Sequence, residues 1–577
     1  MSLYIKKRIA SRNRLRVLLV LKNKDDWMQT LTLNESLNTH PHTHRLSSNV
    51  EEDFAAEVLR FVIALGVEEF CLCPGSRNSA LAGLLIEEPQ IKKYYWFEER
   101  SGAFFALGRA RQSQKPVAIV TTSGTAAGEL LPAAMEAYYT GTPLLLITAD
   151  RPRCFRGKGA PQSAEQKGLF GIYTPFAVDL AAGESFDFTQ WDQKAAAYIN
   201  VCLEEPVKLK KVAKQNLLTY KKTVFAPMDP QIDPLGFNYL DDFLNRVERP
   251  LVVVSSLKPI AQEAVVQFLL KLNAPVYLEG ISGLRGDPRL NALQITRTDD
   301  LWSESERSGY PIDGVLRLGG VPTFRFWRDL EDKQGAVQVC SISETPFAGL
   351  SWGSVVAEPL ELFFSRYRPS KRYGQSSSQS WIENDRLFRE KLEALFLDEP
   401  EAEPSLLHLL SRQIPVKSTV YLGNSLPIRE WDLAASLEDR SLSVHASRGL
   451  NGIDGQISTF LGVCRPETQN WAILGDLTTL YDMAGPWILD QLFGVNVTIV
   501  VINNGGGKIF APMYPYKEFQ NPHALSFKPL AEMWQMHYER WHAVPSILKE
   551  CTTNRLIEII PNEEATLRFS KRLTQLL

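Results

Sequence analysis

The sequence predicts an α/β protein of three domains, each a mostly parallel sheet with helices on both faces. Three observations carry this expectation. At 577 residues, the chain has the length of about three ordinary domains. Strand-length apolar runs alternate along it with segments that are apolar at helical spacing, and that alternation builds parallel sheets covered on both faces. Hydrophobic residues make up 44% and charged residues 22%, a balance that supports cores of good size.

In the first block, residues 50–225, an apolar helix is expected over 54–65. Strands are expected over 70–73, ending in Pro74-Gly75, over 117–121 and over 144–148, with a helix over 125–139. The second block, 226–395, repeats the style with strands at 251–255, 276–278, 315–318 and 337–342 and a helix at 260–272. The third, 396–577, has strands at 419–422, 471–474, 497–502 and 556–560. The polar, Ser-rich run 368–380 is expected to be the linker between blocks two and three. Residues 1–48 read as a poorly ordered polar extension. Their basic residues precede only a short apolar run, broken by Lys22 and Lys24, so they do not make a secretory signal. The tract Thr39-His40-Pro41-His42-Thr43-His44 is read as part of that extension rather than as a metal site.

Bulk properties exclude several classes. A formal net charge of −3 gives no electrostatic reason to bind nucleic acid or a membrane surface. No apolar stretch approaches the ~18–20 residues of a membrane span. The seven Cys are odd in number and scattered. Cys71 and Cys73 lack the second ligand pair of a zinc site, so reduced thiols in a cytoplasmic protein are expected.

The strongest chemical signal lies in block three. One strand ends in Gly475-Asp476-Leu477, the next in Asn503-Asn504-Gly505-Gly506-Gly507. Ligands bind beyond the carboxyl ends of strands in open parallel sheets. An Asp, an Asn and a backbone carbonyl are hard oxygen donors suited to Mg²⁺, and glycines let the backbone approach phosphates closely. A helix over 478–489 is expected to start beside the Asp and favour anions at its N-terminus. Each segment alone is an ordinary turn. Together, G-D-x followed about 25–30 residues later by N-N resembles the thiamine-diphosphate fingerprint, with Leu477 in place of its usual last Gly. The resemblance implies Mg²⁺ (Mn²⁺ as a substitute) held by Asp476, Asn504 and the Gly506 carbonyl, with Gly475 and Leu477 beside the cofactor.

Such a cofactor needs a carboxylate, in a water-poor setting, to activate its aminopyrimidine ring. Glu99 is the candidate; it follows an aromatic strand and opens an apolar helix, with Glu98 as competitor. Taken singly, Glu99 reads as a first-turn glutamate favoured by the helix dipole. Its place in block one, with the metal motif in block three, is the split that this enzyme class shows. By the same resemblance Ile453, in Arg448-Gly449-Leu450-Asn451-Gly452-Ile453-Asp454-Gly455, is the wedge that folds the cofactor.

The segments Cys73-Pro74-Gly75-Ser76-Arg77-Asn78-Ser79, Phe97-Glu98-Glu99-Arg100, Thr122-Ser123-Gly124-Thr125-Ala126, Thr148-Ala149-Asp150-Arg151-Pro152 and Gly423-Asn424-Ser425-Leu426-Pro427-Ile428-Arg429 occur in order with those above. Together they resemble the MenD family, the thiamine-diphosphate-dependent SEPHCHC synthases of menaquinone biosynthesis, over roughly residues 50–577. The resemblance implies three domains binding pyrimidine (50–225), nothing assigned (226–395) and diphosphate (396–577). It implies decarboxylation of 2-oxoglutarate and 1,4-addition of the resulting enamine to isochorismate. It also implies a homo-oligomer, dimer or tetramer, with active sites between subunits. Both substrates are dicarboxylates, and arginine's planar fork suits them. Arg77, Arg151, Arg429 and Arg448 match the family's arginines, Ser76, Gln162 and Ser425 its polar partners, and Ile509 and Phe510 its apolar residues near the thiazolium. In the middle block only Arg325 carries over from a basic pair, Phe324 standing beside it, and Pro161 precedes Gln162 where many relatives have Asn. The chain has eight His and no His-His pair, which fits ligation rather than simple decarboxylation. Two other readings are an acetolactate-synthase-like carboligase, whose smaller donors do not need so many arginines, and a non-catalytic α/β binding protein.

Overall fold

The computed structural model describes residues 48–577 except 186, 188–189, 205–216, 220–232, 299 and 549–551. Before residue 48 it describes only an antiparallel pair of two-residue strands, Ala10–Ser11 and Arg14–Leu15. The expected poor order of the extension therefore lies outside the described residues.

Three six-stranded parallel sheets follow one another along the chain. The first runs, across the sheet, Lys92–Tyr95, Glu69–Leu72, Val117–Thr121, Leu144–Asp150, Ala197–Cys202, Phe176–Ala181. The third runs Ser443–His445, Thr419–Leu422, Asn470–Gly475, Val497–Ile502, Arg555–Ile559, His537–Trp541. Numbered by sequence, both have the order 2-1-3-4-6-5. The central sheet differs: Gln294–Ile295, Val276–Leu278, Pro250–Val254, Gly314–Leu318, Gln338–Ser343, Val356–Ala357. The middle strands are nearly all apolar and buried, as Val-Thr-Ile-Val-Val-Ile over Val497–Ile502 shows, because helices cover both faces.

One apolar core passes without interruption from the first sheet to the third, taking in Phe104, Phe105, Leu107, Phe460, Leu461 and Ile499. The helices Glu99–Ser113 and Gln456–Val463 meet there backbone to backbone. A Cβ on Gly462 would lie 2.4 Å from the Phe105 carbonyl oxygen, and one on Gly108 would lie 2.3 Å from that of Thr459.

Several expectations need correction. The helix expected over 125–139 is two, Thr125–Gly128 and Leu131–Thr140, because Pro132 starts the second. The helix expected over 478–489 is a short helix, Asp476–Tyr481, followed by a 3₁₀ segment, Gly485–Gln491, that also begins at a proline. The Ser-rich run is no extended linker. Its second half opens the 24-residue helix Gln375–Asp398, which buries Ser378, Trp381, Asp385, Phe388, Leu392, Leu395 and Phe396. Trp381 packs in the central core, and Phe388 and Phe396 pack with Phe569. This helix is itself the connection between the central and third sheets, and the 395/396 division falls inside it. Among the described residues, no helix is long and apolar enough to cross a membrane.

Candidate active site

The third sheet gathers most of the candidates at its carboxyl edge. Strand Asn470–Gly475 delivers Asp476, which is 3% exposed. Its Oδ1 accepts from the Leu477 amide at 2.6 Å, and its Oδ2 from the amides of Gly505 and Gly506 at 3.0 and 2.9 Å. One carboxylate thus ties the turn after one strand to the turn after the next. His523 Nε2 lies 3.3 Å from the same Oδ2. Burial pushes the Asp476 acid up, while the amides and His523 favour its charged form.

Asn504 completes the set. Its Nδ2 donates to both carboxylate oxygens of Glu403, each at 3.0 Å. Its Oδ1 is buried and has no hydrogen-bond partner. A buried acceptor left unpaired costs roughly 1–3 kcal/mol unless something satisfies it. Gly506 sits at φ +137°, and a Cβ there would meet the Gln520 carbonyl oxygen at 2.5 Å. A carboxylate, an orphaned amide oxygen and bare glycine backbone fit a small divalent cation and the phosphates it bridges.

Beside it, Asn424 organises the arginine end. Its Nδ2 donates to the carbonyls of Ser447 and Gly452 at 2.8 and 2.7 Å, and its Oδ1 accepts from Arg448 Nη1 at 2.5 Å. Arg448 Nε and Nη2 are buried and have no hydrogen-bond partner. Ser425 holds φ +75°, a strained value for serine, and its carbonyl accepts from Arg429 Nη1 at 2.5 Å. Ile453 is half-buried in the loop that Asn424 pins. Ile509 is half-buried and Phe510 39% exposed in the turn Lys508–Phe510.

The first sheet presents its own edge. Asn78 closes the turn after strand Glu69–Leu72, accepting from the Gly75 amide at 2.7 Å and donating to the Cys73 carbonyl at 3.0 Å. Ser76 is exposed at its tip. Arg77 is buried, with Nη1 donating to the carbonyls of Leu203 and Glu204 at 3.3 and 2.5 Å. Arg151 Nε donates to the Pro161 carbonyl at 3.1 Å, and the next residue, Gln162, exposed at φ +52°, accepts at its carbonyl from Ser123 Oγ at 2.7 Å. Arg325 stands apart in the central domain, 73% exposed and paired with Asp329 at 3.4 Å on its own short helix.

Glu98 and Glu99 separate by role. Glu98 caps the helix Glu99–Ser113, accepting from the amides of Arg100 and Ser101 at 3.1 and 2.9 Å. Glu99 is the first helical residue and half-buried; burial pushes its acid up, and the charges of Glu98 and Glu129 push the same way. The helix start rests on the segment that follows Asp476. Arg100 Nη2 donates to the Tyr481 carbonyl and Ser101 Oγ to Asp482 Oδ1, both at 3.1 Å.

Sequence reasoning missed five residues here. Glu136 of the first domain accepts from the amides of Gly449 and Leu450 at 2.9 and 2.8 Å and so holds the loop of Arg448 and Ile453. Asn424, Gln166, His523 and Glu403 are the others. Gln166 accepts from the Gly124 amide at 2.8 Å. Asn424 stood in the segment Gly423–Arg429 without being singled out, and Glu403-Pro404 carried the signal of a helix start.

A pair of turns whose oxygens fit a cation in one domain, and a half-buried, uncommitted helix-start glutamate in another, are the arrangement expected of a thiamine-diphosphate enzyme. Residues 53–169 match the family described as thiamine pyrophosphate enzyme, N-terminal TPP binding domain. The 2-succinyl-5-enolpyruvyl-6-hydroxy-3-cyclohexene-1-carboxylate synthase of Bdellovibrio bacteriovorus is 42% identical, over 90% of this chain and 98% of its own length. Those of Akkermansia muciniphila and Bacillus velezensis are 38% and 29% identical, over 91% and 93% of this chain and 99% and 98% of theirs. The chain belongs to this family of synthases.

Proposed function

We propose that the protein is the thiamine-diphosphate-dependent transferase that makes 2-succinyl-5-enolpyruvyl-6-hydroxy-3-cyclohexene-1-carboxylate (SEPHCHC) from 2-oxoglutarate and isochorismate in menaquinone biosynthesis. The observation that carries this is a pair of unmet demands on one sheet edge. Asn504 Oδ1 is buried without a donor, and Arg448 Nε and Nη2 are buried without an acceptor. The first suits a cation bridging a diphosphate; the second suits the carboxylates of the two acids.

When bound, thiamine diphosphate supplies a nucleophilic thiazolium carbon and a sink for the electrons released with CO₂. Asp476, Asn504 and the Gly506 carbonyl would hold Mg²⁺, or Mn²⁺ in its place, and Gly475 and Leu477 would lie beside the cofactor. Glu99 would accept the hydrogen bond of the aminopyrimidine ring, and its half-buried position would keep that bond out of bulk water. Ile453 would be the wedge against the cofactor, and Ile509 and Phe510 would keep water from it. Arg448, Arg429 and Arg151 neutralise the substrate carboxylates, with Ser425, Gln162, Ser76 and Arg77 closing the pocket.

Two copies complete the site. Tyr95, Phe97, Tyr481, Met483 and Trp487 are all more than a third exposed. They lie on the segments flanking Glu99 and following Asp476, and Phe97 packs edge-on against Trp487 at 4.8 Å. An exposed aromatic patch of this kind supports burial by a second copy. Protein dialysed with thiamine diphosphate and Mg²⁺, then desalted and acid-extracted, should give thiochrome fluorescence on oxidation. The loaded protein should release CO₂ from 2-oxoglutarate and not from pyruvate. An extract without thiochrome, or release from pyruvate alone, would contradict the reading.

A further inference from the structure

We propose that Glu403 is a positioning residue for the metal, fixing which end of the Asn504 amide faces the cation; this rests on the reading of Asn504 as a ligand. Glu403 opens the helix Glu403–Gln413 and is 4% exposed. Its backbone amide donates to Thr566 Oγ1 at 3.0 Å, which ties the helix start to the last helix of the chain. Its two carboxylate oxygens sit at equal distances, 3.0 Å, from Asn504 Nδ2.

The chemistry makes this contact directional. An amide side chain has a donor end and an acceptor end of nearly the same shape, whereas a carboxylate only accepts. With Glu403 behind it, Asn504 must turn its NH₂ inward, and Oδ1 is then aimed away from Glu403. That oxygen is the buried one that lacks a partner. The flipped amide would set Oδ1 against the carboxylate and NH₂ against the cation, two repulsions at once. A second layer stands behind the first. Glu430, also buried, stands beside Glu403 from the helix Leu426–Ala434, which also carries Arg429. The metal ligand is thereby braced against the helix that presents a substrate arginine. Partners of this kind typically hold about 10–100-fold in metal affinity.

Binding of Mn²⁺ to the full chain, in saturating thiamine diphosphate, followed by the electron paramagnetic resonance of the free ion, tests this without reference to turnover. Glu403→Gln lets either end of the Asn504 amide face inward, and Kd for Mn²⁺ should rise about 10–100-fold. Glu403→Met removes the acceptor while keeping similar volume and should weaken binding likewise; because it leaves the Asn504 NH₂ without its partner, its folding is checked by circular dichroism. In an Asn504→Ala background, Glu403→Gln should have no further effect, because its route to the metal has gone. Unchanged affinity in both Glu403 variants, or an equal loss with and without Asn504, would overturn the proposal. Asp476→Ala separates the two levels. If it weakens Mn²⁺ binding and the Glu403 variants do not, only the role of Glu403 falls. If Asp476→Ala itself leaves binding unchanged, the metal site is misplaced and both readings fall.

Discussion

At the scale of single residues, the adjacent acids Glu98 and Glu99 show how position divides labour. Glu98 spends its carboxylate on two backbone amides, while Glu99, one residue on, takes no part in that cap and is the one proposed to serve the cofactor. Glu99→Gln should still bind cofactor, since in the proposed site the third domain holds the diphosphate. Turnover and exchange of the cofactor's C2 proton in D₂O should both fall roughly 10²–10⁴-fold, the scale of one general acid–base component. Glu98→Ala should instead cost about 1 kcal/mol in chemical unfolding, the usual value of a cap, with near-normal C2 exchange. Burial, then the charges of Glu98 and Glu129, favour the protonated form of Glu99. The carboxylate form accepts the hydrogen bond, so activity should fall on the acid side above the ordinary carboxylate range. Glu129→Gln removes one of the raising causes. The acid limb of the pH–rate profile should then move to lower pH, and a limb that stays or rises would contradict the assignment.

At the scale of elements, the crossing of Glu99–Ser113 over Gln456–Val463 fixes the start of the Glu99 helix relative to the third domain. Gly462→Ala would place a Cβ 2.4 Å from the Phe105 carbonyl oxygen and 2.7 Å from the Gly108 Cα. Both are backbone atoms and cannot swing aside. Urea unfolding should show a loss of about 1–3 kcal/mol, the cost of overpacking, despite alanine's better helix propensity.

The elements around the site were the legible ones. Strand Val497–Ile502 and its Asn-Asn-Gly-Gly-Gly turn were readable because a doubly covered strand is a continuous apolar run and its turn needs glycine. The outer strands Phe176–Ala181, Ser443–His445 and His537–Trp541 were not, because their side chains are mostly half-buried and their composition mixed. The helix Gln375–Asp398 was hidden by serines on its first turns, although its buried positions repeat every three or four residues from Ser378 onward. Within the site, Asp476, Asn504 and Arg448 stood in recognisable turns. Glu136 and Glu403 did not, since each acts on a residue about 100 or more positions away in sequence, Glu136 at Gly449 and Glu403 at Asn504, and no local pattern encodes such a contact.

At the scale of the whole molecule, two sheets of identical strand order carry the two halves of the proposed site, and the central sheet, of different order, stands between them in sequence. Within one chain the halves are locked by a shared core and by Glu136, which also accepts from Arg111 Nη2 at 2.8 Å. In the proposed assembly the exposed aromatic patch beside Glu99 meets a second copy. Glu99→Gln and Asp476→Ala chains, each inactive alone, should therefore regain activity when co-assembled, because a mixed dimer contains one site with both residues intact. Mixed dimers without activity would place both residues of one chain on one cofactor.

The reaction itself is the most direct test. Purified protein with thiamine diphosphate, Mg²⁺, 2-oxoglutarate and isochorismate should form SEPHCHC, seen by mass spectrometry as isochorismate plus the four-carbon remainder of 2-oxoglutarate, with no adduct when pyruvate replaces 2-oxoglutarate. Acetolactate from pyruvate, or isochorismate left unchanged while 2-oxoglutarate is consumed, would contradict the account.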